Sequence, residues 1–115
     1  MYNDIGLSMK KSHYDRLLKI LKQELSLIYT AKLQGVYLFG SYARQEQDQE
    51  SDLNILIVLS DIDNYILEIK RTSELTSRLS LDFGITISWT FVREADWKIC
   101  DSPLLRNVRQ ESIPI

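Results

Sequence analysis

Cysteine and histidine are nearly missing from this chain: Cys100 and His13 are the single examples of each among 115 residues. One cysteine closes no internal disulfide, which suits a reducing cytoplasm and leaves Cys100 as a small buried thiol. His13 falls in the first turn of an expected helix and is read as a surface residue. No apolar run approaches the ~20 residues needed to span a bilayer. The opening Met1-Tyr2-Asn3-Asp4 has neither the basic region nor the apolar segment of a secretion signal. An excess of one charge is lacking too, the net value being -2. Glu46, Asp48, Glu50 and Asp52 crowd one loop, which excludes a protein whose main task is gripping a nucleic-acid backbone. Lys10, Lys11, Arg16, Lys19 and Lys22 recur at helical spacing and make a solvated helix face.

What is present describes a single folded domain over 1–115. Hydrophobic residues at 44% and charged residues at 26% are the proportions of a globular core with a polar surface. Tyr14, Leu17, Leu18, Leu21, Leu25 and Ile28 recur at steps of three and four, predicting a helix from Ser12 to about Lys32. Ser12 and Asp15 stand at capping-box spacing. Gly35 breaks that helix, and Val36 to Phe39 read as a strand. Leu53 to Leu59 is almost continuously apolar, the pattern of a central strand covered on both faces. A second helix follows to about Ser80, capped by Asp61 or Asp63, with Ile62, Ile66, Ile69, Leu75 and Leu79 as its core positions. Ile85 to Val92 alternates strictly, with Ile87, Trp89 and Phe91 inward and Ser88 and Thr90 on the polar side. A short helical piece spans Glu94 to Cys100. Ser102-Pro103 then starts a last helix that runs to about Gln110. The fold class is α+β, a small mixed sheet of three or four strands flanked by helices.

The chemistry concentrates in Leu38-Phe39-Gly40-Ser41-Tyr42-Ala43-Arg44 and Ser51-Asp52-Leu53-Asn54. The first strand ends abruptly at Gly40-Ser41, and eleven residues after Ser41 comes Asp52. Asp52 and Asn54, two apart on an extended chain, project to one face beside the Gly-Ser turn. Glycine lets an anion approach the backbone, the Ser41 hydroxyl and amides donate to phosphate, and Arg44 balances phosphate charge. The two side-chain oxygens of Asp52 and Asn54 suit a magnesium ion carried by a nucleotide.

These motifs resemble the minimal nucleotidyltransferases of the polymerase-beta-like superfamily, whose pattern is Gly-Ser, a spacer of this length, and Asp-x-Asp. Gly40, Ser41, Ala43, Arg44, Ser51 and Asp52 match; Asn54 stands where the second aspartate belongs. Pro103-Leu104-Leu105-Arg106-Asn107-Val108-Arg109-Gln110-Glu111 resembles the ending of short members paired with helical HEPN-domain toxins. The resemblance covers nearly the whole chain. It implies a nucleotidyltransferase fold, with Asp52, Asn54 and Ser41 catalytic, Gly40, Ser41 and Arg44 binding nucleotide, and Asp52 with Asn54 on the metal. It further implies ATP and Mg2+ as cofactors and a HEPN toxin as partner in a hetero-oligomer, the toxin supplying a tyrosine acceptor for AMP. A chain this short leaves no room for an acceptor domain of its own.

Family members place a third carboxylate on a neighbouring strand. Here the polar side of the third strand offers Thr86, Ser88 and Thr90, and Asp82 lies just before it. Losing two anions removes most of the charge that holds two dications together. Three readings stay open: an antitoxin that adenylylates its toxin, a degenerate member that neutralises the toxin by binding, and a subunit acting on small molecules. Tyr42, beside the turn, is a candidate for stacking on the base, and Trp97 for an interface.

Overall fold

The computed structural model describes residues 11–115, with side chains from Tyr14 onward. The expected cap at Ser12, the surface placement of His13 and the charges of Lys10 and Lys11 lie outside the described side chains. The elements are α1 (Lys11–Tyr29), a 3-10 turn (Thr30–Lys32), β1 (Leu33–Phe39), α2 (Ser41–Arg44), β2 (Leu53–Leu59), α3 (Tyr65–Phe83), β3 (Ile87–Arg93), α4 (Glu94–Ile99), α5 (Pro103–Glu111) and β4 (Ile113–Pro114). They form an α+β fold on a mixed four-stranded sheet in the order β3-β2-β1-β4. β1 runs antiparallel to β2 and to β4, whereas β2 and β3 run parallel.

Central β2 divides two cores. Leu53, Ile55, Ile57 and Leu59 face the α1 and α3 layer, where Leu17, Leu21, Leu25 and Leu79 are also buried. Leu56 and Val58 face the other way, against Val92, Leu105 and Val108, with Trp97 packed at the margin. Both faces of β2 are therefore covered, which is why its sequence carries almost no polar residue. Asn54 shares the Leu56 face by alternation, and so does Ser88, its neighbour in the β3 register.

Three expectations need correction. The first helix ends at Tyr29, and Thr30 takes the turn at φ 50°; Gly35 lies inside β1, at a register irregularity, rather than ahead of it. Asn64, not Asp61 or Asp63, caps α3, its Oδ1 accepting from the Ile66 and Leu67 amides at 3.0 and 3.3 Å. Ile66 and Ile69 are exposed, while Glu68 and Thr72 take the inner positions beside Leu75 and Leu79. The Tyr29 hydroxyl donates to Glu68 Oε1 at 2.8 Å, and Arg71 Nε stands 3.3 Å from the same oxygen. A buried carboxylate with a donor and a cation is tolerated where a bare one is not.

The two-residue β4 was not anticipated. It adds to the outer edge of β1 through Tyr37 opposite Pro114 and Leu38 opposite Ile113. Nearby, Arg109 donates to the carbonyls of Trp97 and Cys100, both at 2.5 Å, and lies over the Trp97 ring. α4, α5 and the connection between them are thus pinned together. Cys100 is half-buried.

Candidate active site

The site forms where β1 leaves the sheet and β2 enters it. Phe39 pairs with Asn54, so Gly40 turns away immediately beside the Asn54 side chain. Gly40 adopts φ 79° and ψ -156°, a conformation that essentially only glycine holds. A methyl group placed on it would sit 2.6 Å from Asn54 Nδ2. Two constraints therefore demand glycine at this point, one from the backbone and one from the neighbouring amide. Ser41 opens the short helix α2, its carbonyl accepting from the Glu46 amide at 2.9 Å.

Asp52 is exposed and stands one residue before β2. The loop that delivers it is tied by Asp48 and Ser51. Asp48 Oδ1 accepts from the Glu50 amide at 2.9 Å and from the Ser51 hydroxyl, while Ser51 Oγ accepts from the Asp48 amide at 2.9 Å. Ser51 is thus a loop-closing residue, and its bonds fix where the chain turns back into β2. Asn54 Nδ2 points toward the Asp52 carbonyl at 3.5 Å.

The structure brings Gly40, Ser41, Asp52 and Asn54 to the same end of the sheet. Arg44 lies beside the same turn but is already engaged by two carboxylates. Its Nε meets Glu46 Oε1 at 2.9 Å and its Nη1 meets Glu111 Oε2 at 2.9 Å. The hydrogen bonds it donates to Glu46 and then Glu111 raise the guanidinium pKa above its ordinary value. The other Glu111 oxygen accepts from the Gly40 amide at 3.3 Å. Sequence reasoning did not find Glu111, because a contact spanning 71 residues leaves no local pattern.

Tyr42 does not face this cleft. It is buried in the α1 layer and meets Tyr14 edge-on at 5.3 Å, so base stacking is removed from its roles. The cavity beside it, of about 490 Å³, is lined by Tyr14, Leu18, Leu38, Tyr42 and Ile113 among others. Leu38 packs with the α1 and α3 layer, so that cavity belongs to the sheet face opposite Asn54.

Among the described residues no group of three or more His, Cys, Asp or Glu side chains is placed to hold an ion. β3 brings Ser88 beside Asn54 and Thr90 beside Leu56, and neither carries charge. A pair of protein-held dications does not fit these residues, because Asp52 is the one anion of the motif.

The glycine turn packed against the head of the next strand, followed by a strand-entry aspartate, keeps together the residues that carry the resemblance to minimal nucleotidyltransferases. The chain belongs to the family described as Polymerase beta, Nucleotidyltransferase, whose profile matches residues 17–108, and within it to the minimal nucleotidyltransferases. MJ0141 of Methanocaldococcus jannaschii, a protein adenylyltransferase by name, is 39% identical over 72 residues, 63% of this chain and 72% of that protein. MntA of Shewanella oneidensis, a protein adenylyltransferase, is 30% identical over 77 residues, 67% of this chain and 52% of its own length. A structure described as a minimal nucleotidyltransferase superposes with a TM-score of 0.56 at 26% identity, over 88% of this chain and 94% of that one. A toxin-antitoxin crystal structure with AMP-PNP gives a TM-score of 0.59 at 24% identity, over 85% and 70% of the two chains, a likeness of fold.

Proposed function

We propose that this chain is the antitoxin of a HEPN-type toxin pair and binds ATP at the Gly40-Ser41 turn beside Asp52. Asp52 would be the single protein carboxylate for a Mg2+ ion carried by the nucleotide phosphates, and Asn54 would offer it a neutral oxygen. The observation that carries this reading is the packing of the Gly40 turn against Asn54 at the head of β2, which sets the Gly-Ser amides at the same end of the sheet as Asp52. Relatives named as protein adenylyltransferases supply the reaction class. Transfer joins a toxin tyrosine oxygen to the α-phosphorus of ATP, releases pyrophosphate and passes the hydroxyl proton to solvent. A toxin-antitoxin structure of the same fold, containing a tri-AMPylated Shewanella oneidensis HEPN toxin, supports the choice of partner. Among the described residues no helix is long and apolar enough to cross a membrane.

A second reading draws on Asn54, neutral where the motif has its second aspartate, and on the lack of an acid among Thr86, Ser88 and Thr90 along the third strand: neutralisation by binding, with little or no transfer. One experiment separates the two. The chain is incubated with the protein of the neighbouring reading frame, Mg2+ and ATP labelled at the α-phosphate. Label on a tyrosine of that protein, lost in Asp52→Ala, supports transfer. A tight unlabelled complex that blocks the toxin supports binding alone. Labelling that survives Asp52→Ala removes Asp52 from the site.

A further inference from the structure

Glu111 stands in the one place where this chain already presents an anion to its own glycine turn. Its Oε1 accepts from the Gly40 amide at 3.3 Å, and its Oε2 meets Arg44 Nη1 at 2.9 Å. The β1 and β4 register explains the fit. Leu38 lies opposite Ile113, so two steps further the antiparallel count sets Gly40 opposite Glu111. The carboxylate is only about a quarter exposed, at 27%. Leu105 and Val108, buried on the same helix, hold α5 against the sheet.

We infer that Glu111 is an internal counter-anion of the phosphate turn, occupying the Gly40 amide and the Arg44 guanidinium until a nucleotide triphosphate displaces it. The inference rests on the nucleotide site proposed above and adds a residue to it. A backbone amide and a guanidinium are the donors that phosphate oxygens select, and both are taken. Charge points the same way. Arg44 carries two carboxylates, Glu46 and Glu111, so the trio holds a net negative charge at the mouth of an already acidic loop. A triphosphate entering that mouth meets repulsion unless one carboxylate leaves. Glu111 is the one whose departure frees both donors at once, because Glu46 touches Arg44 alone.

Displacement has a structural consequence. Glu111 is the last residue of α5, and only Ser112 separates it from β4. Moving the carboxylate off Gly40 loosens the pairing of Ile113–Pro114 with β1. Nucleotide occupancy is therefore reported at the edge of the sheet, on residues that touch no phosphate.

Calorimetric titration of the full chain with magnesium AMP-PNP tests this, comparing wild type, Glu111→Gln and Glu46→Gln. Glutamine preserves the shape and the acceptor but removes the charge. Glu111→Gln is expected to bind about tenfold tighter than wild type, and Glu46→Gln to gain much less. Hydrogen exchange on the unaltered chain supplies a second readout that needs no variant. The amides of Ser112, Ile113 and Ile115 should exchange faster when the ligand is bound. Equal gains in the two variants would make the effect general charge and overturn the inference, as would unchanged or weaker binding by a folded Glu111→Gln. Undiminished protection of those amides would overturn it independently. If wild type and Glu111→Gln both bind no AMP-PNP, the nucleotide site falls together with the inference. Binding by wild type without tightening in Glu111→Gln sinks the inference alone.

Discussion

Replacing Gly40 with alanine strains the chain twice, and the two strains can be separated. The backbone at φ 79° and ψ -156° lies where non-glycine residues pay about 1–3 kcal/mol. The new methyl group would also lie 2.6 Å from Asn54 Nδ2 and 3.4 Å from its Cγ. Clearing that contact requires the Asn54 amide to turn or β2 to shift, a further cost of about 1 kcal/mol typical of overpacking. A total loss of about 2–4 kcal/mol follows, taking roughly 10 °C from the melting temperature of a domain this size. Urea unfolding followed by circular dichroism measures it, provided the denaturant slope is unchanged. The clash is isolated by a double-mutant cycle with Asn54→Ala. In that background Gly40→Ala should cost about 1 kcal/mol less, leaving only the backbone share. Should Gly40→Ala cost under 0.5 kcal/mol, or cost the same with and without Asn54, the argument that this turn needs glycine is refuted. Nucleotide binding by Gly40→Ala should fall with the distortion, since the donors there are backbone amides.

Asn54→Asp adds the missing anion beside Asp52, so AMP-PNP binding should become more dependent on Mg2+; titrations with and without the ion that give equal ratios for both chains would discount the charge argument. Burial, then the Glu68 hydrogen bond and charge, push the Tyr29 hydroxyl well above its ordinary pKa of 10.0. The folded chain keeps this proton longer than the unfolded one, so its stabilisation is complete below pH 10 and erodes as the pH climbs beyond. Tyr29→Phe should lose about 1–3 kcal/mol at neutral pH by stripping a donor from Glu68 and show a flatter decline between pH 10 and 12 in urea midpoints. Asn64→Ala removes the cap of α3 and should cost about 1 kcal/mol, readable by thermal melting; no change would mean the cap is redundant. Ile66→Ser on that helix should stay within about 0.5 kcal/mol of the parent, and a loss of several would contradict its exposed position.

The parts of the fold that were legible are those whose reason is local. β2 was bounded correctly at Leu53 and Leu59 because a strand covered on both faces must be apolar throughout. α5 was found from Ser102, whose Oγ accepts from the Leu105 amide at 3.2 Å, and from Pro103 behind it. α3 misled where a distant partner decides. Ile66 and Ile69 fit a helical period, but Glu68 is drawn inward by Tyr29, 39 residues away, and helical spacing is silent on such partners. β4 has two residues, too few for any alternation, and exists because β1 had an unpaired edge. At the site, the Gly-Ser turn and the strand entry were visible as spelling, whereas the engagement of Arg44 by Glu46 and Glu111 was not. Long-range charge pairing leaves no periodicity to read.

Pro114 has a consequence for how this molecule meets others. Lacking an amide hydrogen, it cannot donate to a further strand, and the edge it terminates offers a visitor too short a ladder to zip onto. Growth of the sheet by copies of itself or by a client peptide is thereby blocked at that border. A protein that docks at this border must be met by side chains and helix flanks, and the open edge of the sheet is left to β3 at its far side.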